Sequence, residues 1–123
     1  MLKLKVSFIS IDDEKNKINF STEVIKIDNK YTFDDKTTKN TKIEIEVLGK
    51  CVRLIRTGDI TMYMLYDLEN ITSGSYENSE GLEFNFEIKT TKIEIEKSKI
   101  RIDYSMIMDK QVLSSHKLSL LFN

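Results

Sequence analysis

Proline and tryptophan are absent from the 123 residues of this chain, which also holds only four glycines, one cysteine and one histidine. Each scarcity removes a class of explanation. A single thiol, Cys51, cannot close an intrachain disulfide, and within one chain it cannot build a thiolate cluster for zinc or iron–sulfur. Four glycines are too few for phosphate-cradling loops, and no nucleotide fingerprint, EF-hand loop or HExxH pattern occurs. No cofactor or metal is expected. No apolar run approaches the ~20 residues that cross a bilayer, so no membrane partner is expected. The opening Met1-Leu2-Lys3-Leu4-Lys5 alternates at once, a strand pattern rather than a secretory leader, which makes the cytoplasm the expected location. Nor is there an excess of charge. Nineteen basic residues face twenty acidic ones, interspersed to a net charge of −1, without the positive footprint that engages phosphates. Nucleic acid is therefore not an expected partner.

What the chain has is alternation. Leu2, Leu4, Val6 and Phe8 share one face; Ile18, Phe20, Thr22 and Val24 share the next; Tyr31 and Phe33 follow. Ile43, Ile45 and Val47 alternate with Lys42, Glu44 and Glu46, and Gly49-Lys50 supplies a turn before Val52, Leu54 and Arg56. After Thr57-Gly58-Asp59 the stripe resumes with Ile60, Met62, Met64 and Tyr66. Leu82, Phe84, Phe86 and Ile88 form another, and Thr90-Thr91 before Ile93 suggests a bend or bulge inside one long strand. Ile100, Ile102, Tyr104, Met106 and Met108 form the longest stripe, and Leu118, Leu120 and Phe122 close the chain. Return of apolar residues at every second position excludes helices as the main element, and polar opposite faces exclude a buried parallel sheet. A short helix over Asp67 to Ile71 would be an ornament. The polar stretch Asp34 to Asn40 reads as a loop.

One apolar face per strand leaves a closed barrel or a two-sheet sandwich. The expectation is one all-β domain over residues 1–123, an antiparallel up-and-down closed barrel of eight or more strands, with Leu54, Phe84, Phe86, Ile102 and Tyr104 pointing inward. Short sequential reversals favour a meander, and closure removes the edges that a proline-free chain would leave exposed. The recurrence of Thr41-Lys42-Ile43-Glu44-Ile45-Glu46 at Thr91 to Glu96 reads as a compositional echo, since the flanking residues do not repeat.

Catalytic groups are scarce. His116 follows Ser114 and Ser115, but adjacent strand residues point apart, and Ser114 lies ~6–7 Å along the strand from His116. The expected role of His116 is a half-exposed strand residue. Cys51, with Arg53 on its face, reads as an ordinary thiol. Glutamates such as Glu44 and Glu94 are the wet faces of strands. Two features rise above this background. Arg56 falls on the apolar face beside a glycine turn, where the guanidinium must reach a rim or find a carboxylate; at a barrel mouth it can pair with Asp59 or another carboxylate, or meet an anionic or polar partner from outside. Leu54, Met62, Met64, Phe84, Tyr104 and Met106 form the expected lining of a cavity, because methionine suits adaptable apolar sites.

Val52-Arg53-Leu54-Ile55-Arg56-Thr57-Gly58, then Ser79-Glu80-Gly81-Leu82 followed by Thr90, then Ile102-Asp103-Tyr104, together resemble the YwiB-like family, a bacterial family of unknown function. The resemblance runs from about Tyr31 to the C-terminus. It implies a calycin-like or lipocalin-like barrel, with Arg56 and Gly58 in one turn motif and Gly81 and Thr90 in a later hairpin. Members often carry proline just before the position of Gly81; here Asn78-Ser79-Glu80 must shape that turn differently. The family supplies no catalytic residue to transfer. The expected function is a small cytosolic binding or protein-interaction module. Its partner would be a small apolar or weakly anionic ligand, or another protein. The alternative is an enzyme acting on an unidentified small molecule at the mouth, through Arg56 and Tyr104 or His116. The ample outer β-surface and the aromatic residues point to a homodimer.

Overall fold

The computed structural model describes the backbone of residues 2–123 and side chains from residue 4 onward. The expected inward placement of Leu2 lies outside the described side chains. Ten strands account for nearly the whole chain. They begin with β1 (Leu2–Asp12), β2 (Lys17–Ile27), β3 (Lys30–Asp34), β4 (Lys42–Leu48) and β5 (Cys51–Thr57). They continue with β6 (Ile60–Tyr66), β7 (Thr72–Asn78), β8 (Glu83–Glu96), β9 (Lys99–Met108) and β10 (Gln111–Phe122). Each strand pairs with its neighbours in the chain, and β1 pairs with β10, so an antiparallel sheet closes on itself. Closure leaves no strand without a neighbour on either side, one of the ways in which a chain without edge prolines protects its edges.

Period-two alternation and the pleat agree along the ring. Across β4, β5 and β6, Ile45 sits opposite Leu54 and Leu54 opposite Met64, while Ile43 sits opposite Arg56 and Arg56 opposite Met62. A one-residue slip would turn each of these stripes to solvent. Leu54, Phe86, Ile102 and Tyr104 are buried in the core as expected; Phe84 is only half-buried. The expected irregularity in β8 is a bulge between Thr90 and Lys92, which bends the long strand and keeps Ile88 and Ile100 in the core. A second bulge lies between Val112 and Ser114 on β10.

No helix forms over Asp67 to Ile71. The Asp67 carboxylate instead takes the Glu69 backbone N–H and the Asn70 side-chain amide, a turn that competes with helix. In the β7–β8 hairpin Asn78 does the shaping: its Oδ1 accepts from the N–H groups of Glu80 and Leu82, and Gly81 takes the positive φ. No helix among the described residues is long and apolar enough to cross a membrane.

Up-and-down order sorts the loops. Those after odd-numbered strands gather at one end, those after even-numbered strands at the other. The second end is packed shut: Tyr31 stacks on Phe122 with ring centroids 4.4 Å apart, and Tyr66 is fully buried. The first end, here the mouth, carries Arg56 and the methionines.

Candidate functional site

Alternation turns Arg56 inward, one residue before the end of β5, between Ile43 and Met62. A guanidinium there needs a counter-charge, and the loop after β3 delivers one. Asp35 continues the inward parity of Tyr31 and Phe33, and its backbone N–H bonds to the Thr41 carbonyl at 2.9 Å, closing the loop. One carboxylate oxygen, Oδ1, accepts from the Thr37 N–H at 2.8 Å and the Thr37 hydroxyl at 2.6 Å. The other, Oδ2, lies 3.1 Å from Arg56 Nε, with the Asp35 side chain 0% exposed and that of Arg56 16%. The Arg56 partner is therefore Asp35. Asp59, one candidate for that role, is exposed on the β5–β6 turn, and the ion pair of Arg56 goes to Asp35 instead.

Gly58 makes this arrangement possible. At φ +142 a Cβ there would sit 1.8 Å from the Asn40 carbonyl oxygen, so only glycine lets the 35–41 loop rest on the turn. The loop in turn holds Asp35 against Arg56.

Beneath the mouth lies a cavity of about 200 Å³. Its apolar wall includes Leu54, Met62, Met64 and Met106, joined by Phe8 and Leu118. Its polar wall includes Arg56, Tyr66, Tyr104, His116, Ser10 and Asp12. The structure thus brings together six of the eight residues singled out above, leaving Phe84 and Asp59 outside the lining. Phe84 instead stacks on Tyr76 at 5.0 Å and tilts against Phe86 at 6.1 Å. It has the expected face but sits one residue into β8, at the rim.

Two phenols and an imidazole define the electrostatics. Tyr66 donates to Met64 Sδ at 3.4 Å, and complete burial pushes its phenol well above 10, with Tyr104 adding to the rise. Burial also raises Tyr104, partly offset by a hydrogen bond with Tyr66 and by the Arg56 charge. Both phenols stay protonated at neutral pH. His116 stacks on Tyr104 with centroids 5.0 Å apart. Burial lowers its pKa below 6.5, against a weaker upward pull from Asp12 and Asp13. Asp12, its cross-strand partner, is an ionised carboxylate turned to the β1–β2 turn, accepting from Glu14 N–H, Asn16 N–H and the Asn16 amide. Those bonds, the Asn16 side chain first, hold its pKa below the ordinary carboxylate value.

Ser114, which shares the face of His116 by strand parity, comes closer to it than the strand spacing suggested. Its hydroxyl lies 2.7 Å from His116 Nε2: the ~6–7 Å spacing separates alternate backbone positions on one face, and the two side chains lean together across it. Asp12 spends its oxygens on the turn, so this pair lacks a carboxylate hydrogen bond to orient the ring. Cys51 sits at the opposite end, where burial first, then Asp67, raises its thiol pKa; Arg53 pairs with Glu46 instead. Glu44 pairs with Lys30 at 3.6 Å and Glu94 with Lys92 at 2.8 Å, on separate strands. Among the described residues no group of three or more His, Cys, Asp or Glu could hold a metal ion.

Comparison with known proteins places this geometry in a family. The family model described as "Domain of unknown function (DUF1934)" matches residues 3–120. Among solved structures, the crystal structure of ywiB protein from Bacillus subtilis is similar with a TM-score of 0.70. That likeness has 19% sequence identity over 98% of this chain and 90% of that chain, and it shows the fold alone. The comparison with curated proteins finds no match. The chain belongs to the YwiB-like DUF1934 family of bacterial β-barrels.

Proposed function

We propose that this family member is a ligand-holding barrel: a calycin-like cup in the cytoplasm that takes a small, mainly apolar molecule through its mouth. The observation that carries this reading is the 200 Å³ cavity itself, set between a packed end and a methionine-lined opening. An apolar cavity of roughly 150 Å³ accepts benzene, and drug-sized ligands need about 300 Å³ or more. The space therefore suits a ligand of about ten non-hydrogen atoms. Methionine thioethers adapt to the shape of such a guest, and the aromatic rings offer flat contact.

Native mass spectrometry of freshly purified protein, paired with NMR of methionine methyl groups, tests the reading. A small retained molecule in the wild type, lost on narrowing the mouth with Met106→Trp, is the expected result. No retained mass, together with methionine methyl resonances indifferent to small aromatic probes, would remove it. A second reading, an enzyme at the mouth, is favoured by the Ser114–His116 contact beside the cavity. Turnover that disappears in Ser114→Ala while ligand retention persists would select it.

A further inference from the structure

The charges around the cavity restrict what it can hold. Among the described residues Arg56 supplies the one permanent positive charge in the wall, and that charge is already matched by the fully buried Asp35. The next charge outward is negative: Asp12 lines the cavity and Asp13 follows it in the β1–β2 turn. His116, between them and Tyr104, is neutral at pH 7 because burial disfavours its imidazolium. An anion in the cavity would face Asp12 in its lining and add a second negative charge beside a guanidinium already neutralised. In a semi-buried site an uncompensated charge is costly.

Hydrogen-bonding capacity points the other way. The guanidinium carries five N–H donors. Its Nε lies 3.1 Å from Asp35 Oδ2 as an ion pair without hydrogen-bond alignment, and its Nη1 faces the Met62 thioether at 3.9 Å, a weak acceptor. Among the described residues it has no further partner, so donors at the cavity wall are left for a guest. A neutral carbonyl oxygen can accept them without adding charge.

We infer that the ligand is a small uncharged molecule bearing a carbonyl-type oxygen, which accepts from Arg56 while the apolar body lies against Met62, Met64 and Met106, organic anions being excluded. This rests on the ligand-holding reading above. Three probes of matched shape test it on the full chain at about pH 7.5: ethylbenzene, acetophenone and benzoate, each titrated against the methionine methyl resonances. Acetophenone is expected to bind about tenfold more tightly than either other probe, the equivalent of one hydrogen bond to a charged donor. Asp35→Asn, which frees the Arg56 charge, should strengthen benzoate by about tenfold or more and leave acetophenone little changed. If that variant fails to fold, the wild-type ranking decides alone. Benzoate binding first in the wild type overturns the inference. Equal binding of ethylbenzene and acetophenone removes the carbonyl contact but leaves the ligand-holding reading intact. Methyl resonances that respond to none of the three remove both.

Discussion

Replacing Arg56 by alanine takes away the only ion-pair partner that Asp35 has among the described residues. The carboxylate stays behind with a side chain 0% exposed. Removing one partner of a buried pair typically costs about 3–5 kcal/mol, because the remaining charge keeps its desolvation penalty without compensation. Here the Thr37 N–H and hydroxyl still bond Oδ1, and the loop that holds Asp35 lies at the surface, where water can approach after a small shift. The lower end of the range therefore applies, about 3 kcal/mol. For a domain of this size that is a fall of about 10–15 °C in melting temperature. Urea unfolding followed by far-ultraviolet circular dichroism would measure it. The double substitution Asp35→Asn with Arg56→Met removes both charges and should return stability to within about 1 kcal/mol of the wild type. A loss below about 1 kcal/mol for Arg56→Ala is the range of an exposed pair and would refute the reasoning. So would a double variant less stable than the single.

Gly58→Ala should destabilise by about 3 kcal/mol or more, since a Cβ lands 1.8 Å from the Asn40 carbonyl oxygen. Gly49→Ala, with φ +63 and nothing within 4 Å of the new Cβ, should cost only about 1–2 kcal/mol; equal losses in urea melts would contradict the packing argument. Phe86→Ala should cost about 3–5 kcal/mol and the half-buried Phe84→Ala about 2 kcal/mol, and the reverse order would show that the β8 register is wrong. Because the folded pKa of His116 lies below 6.5, its contribution to stability is present above pH 6.5 and is lost as pH falls through the folded value. His116→Gln should flatten that part of the pH profile, and an unchanged slope between pH 6.5 and the His116 NMR titration midpoint would assign the effect to another group.

Period-two parity made the ring legible because a pleated strand has only two faces. Ile43 and Ile45, Val52 and Leu54, and Ile100 and Ile102 all landed inside, whereas parity alone did not separate a closed barrel from a two-sheet sandwich, since both put one apolar face of each strand inside. Parity says which way a side chain points and nothing about its height along the barrel. Phe84 shows the difference: inward by parity, yet set at the rim by its place one residue into β8. The Arg56 partner was hidden for another reason. Asp35 continues the stripe of Tyr31 and Phe33, but it stands in a polar run that reads as loop, 21 positions before Arg56, whereas Asp59 is three positions after it. Local order favours the near carboxylate; register across β3, β4 and β5 delivers the far one. The Ser114–His116 contact was hidden because strand spacing fixes the distance between alternate backbone positions and not the lean of their side chains, which here meet at 2.7 Å.

The Arg56-Thr57-Gly58 run, first noticed as a turn motif, acquires a physical account from these contacts. Gly58 admits the Asn40 carbonyl, the loop from residue 35 to residue 41 settles on the turn, and Asp35 is thereby held at 3.1 Å from Arg56. The guanidinium then stands in the cavity wall with its charge matched and some of its donors free. A hairpin needing only a tight reversal could use any of several turn sequences. What this one requires, glycine against a neighbouring carbonyl and arginine on an inward apolar stripe, makes sense as support for a polar point inside the mouth. Two residues apart on the chain, Arg56 and Gly58 act on opposite sides of the same loop. The backbone contact that seats the 35–41 loop on the β5–β6 turn therefore also places the cation that lines the cavity.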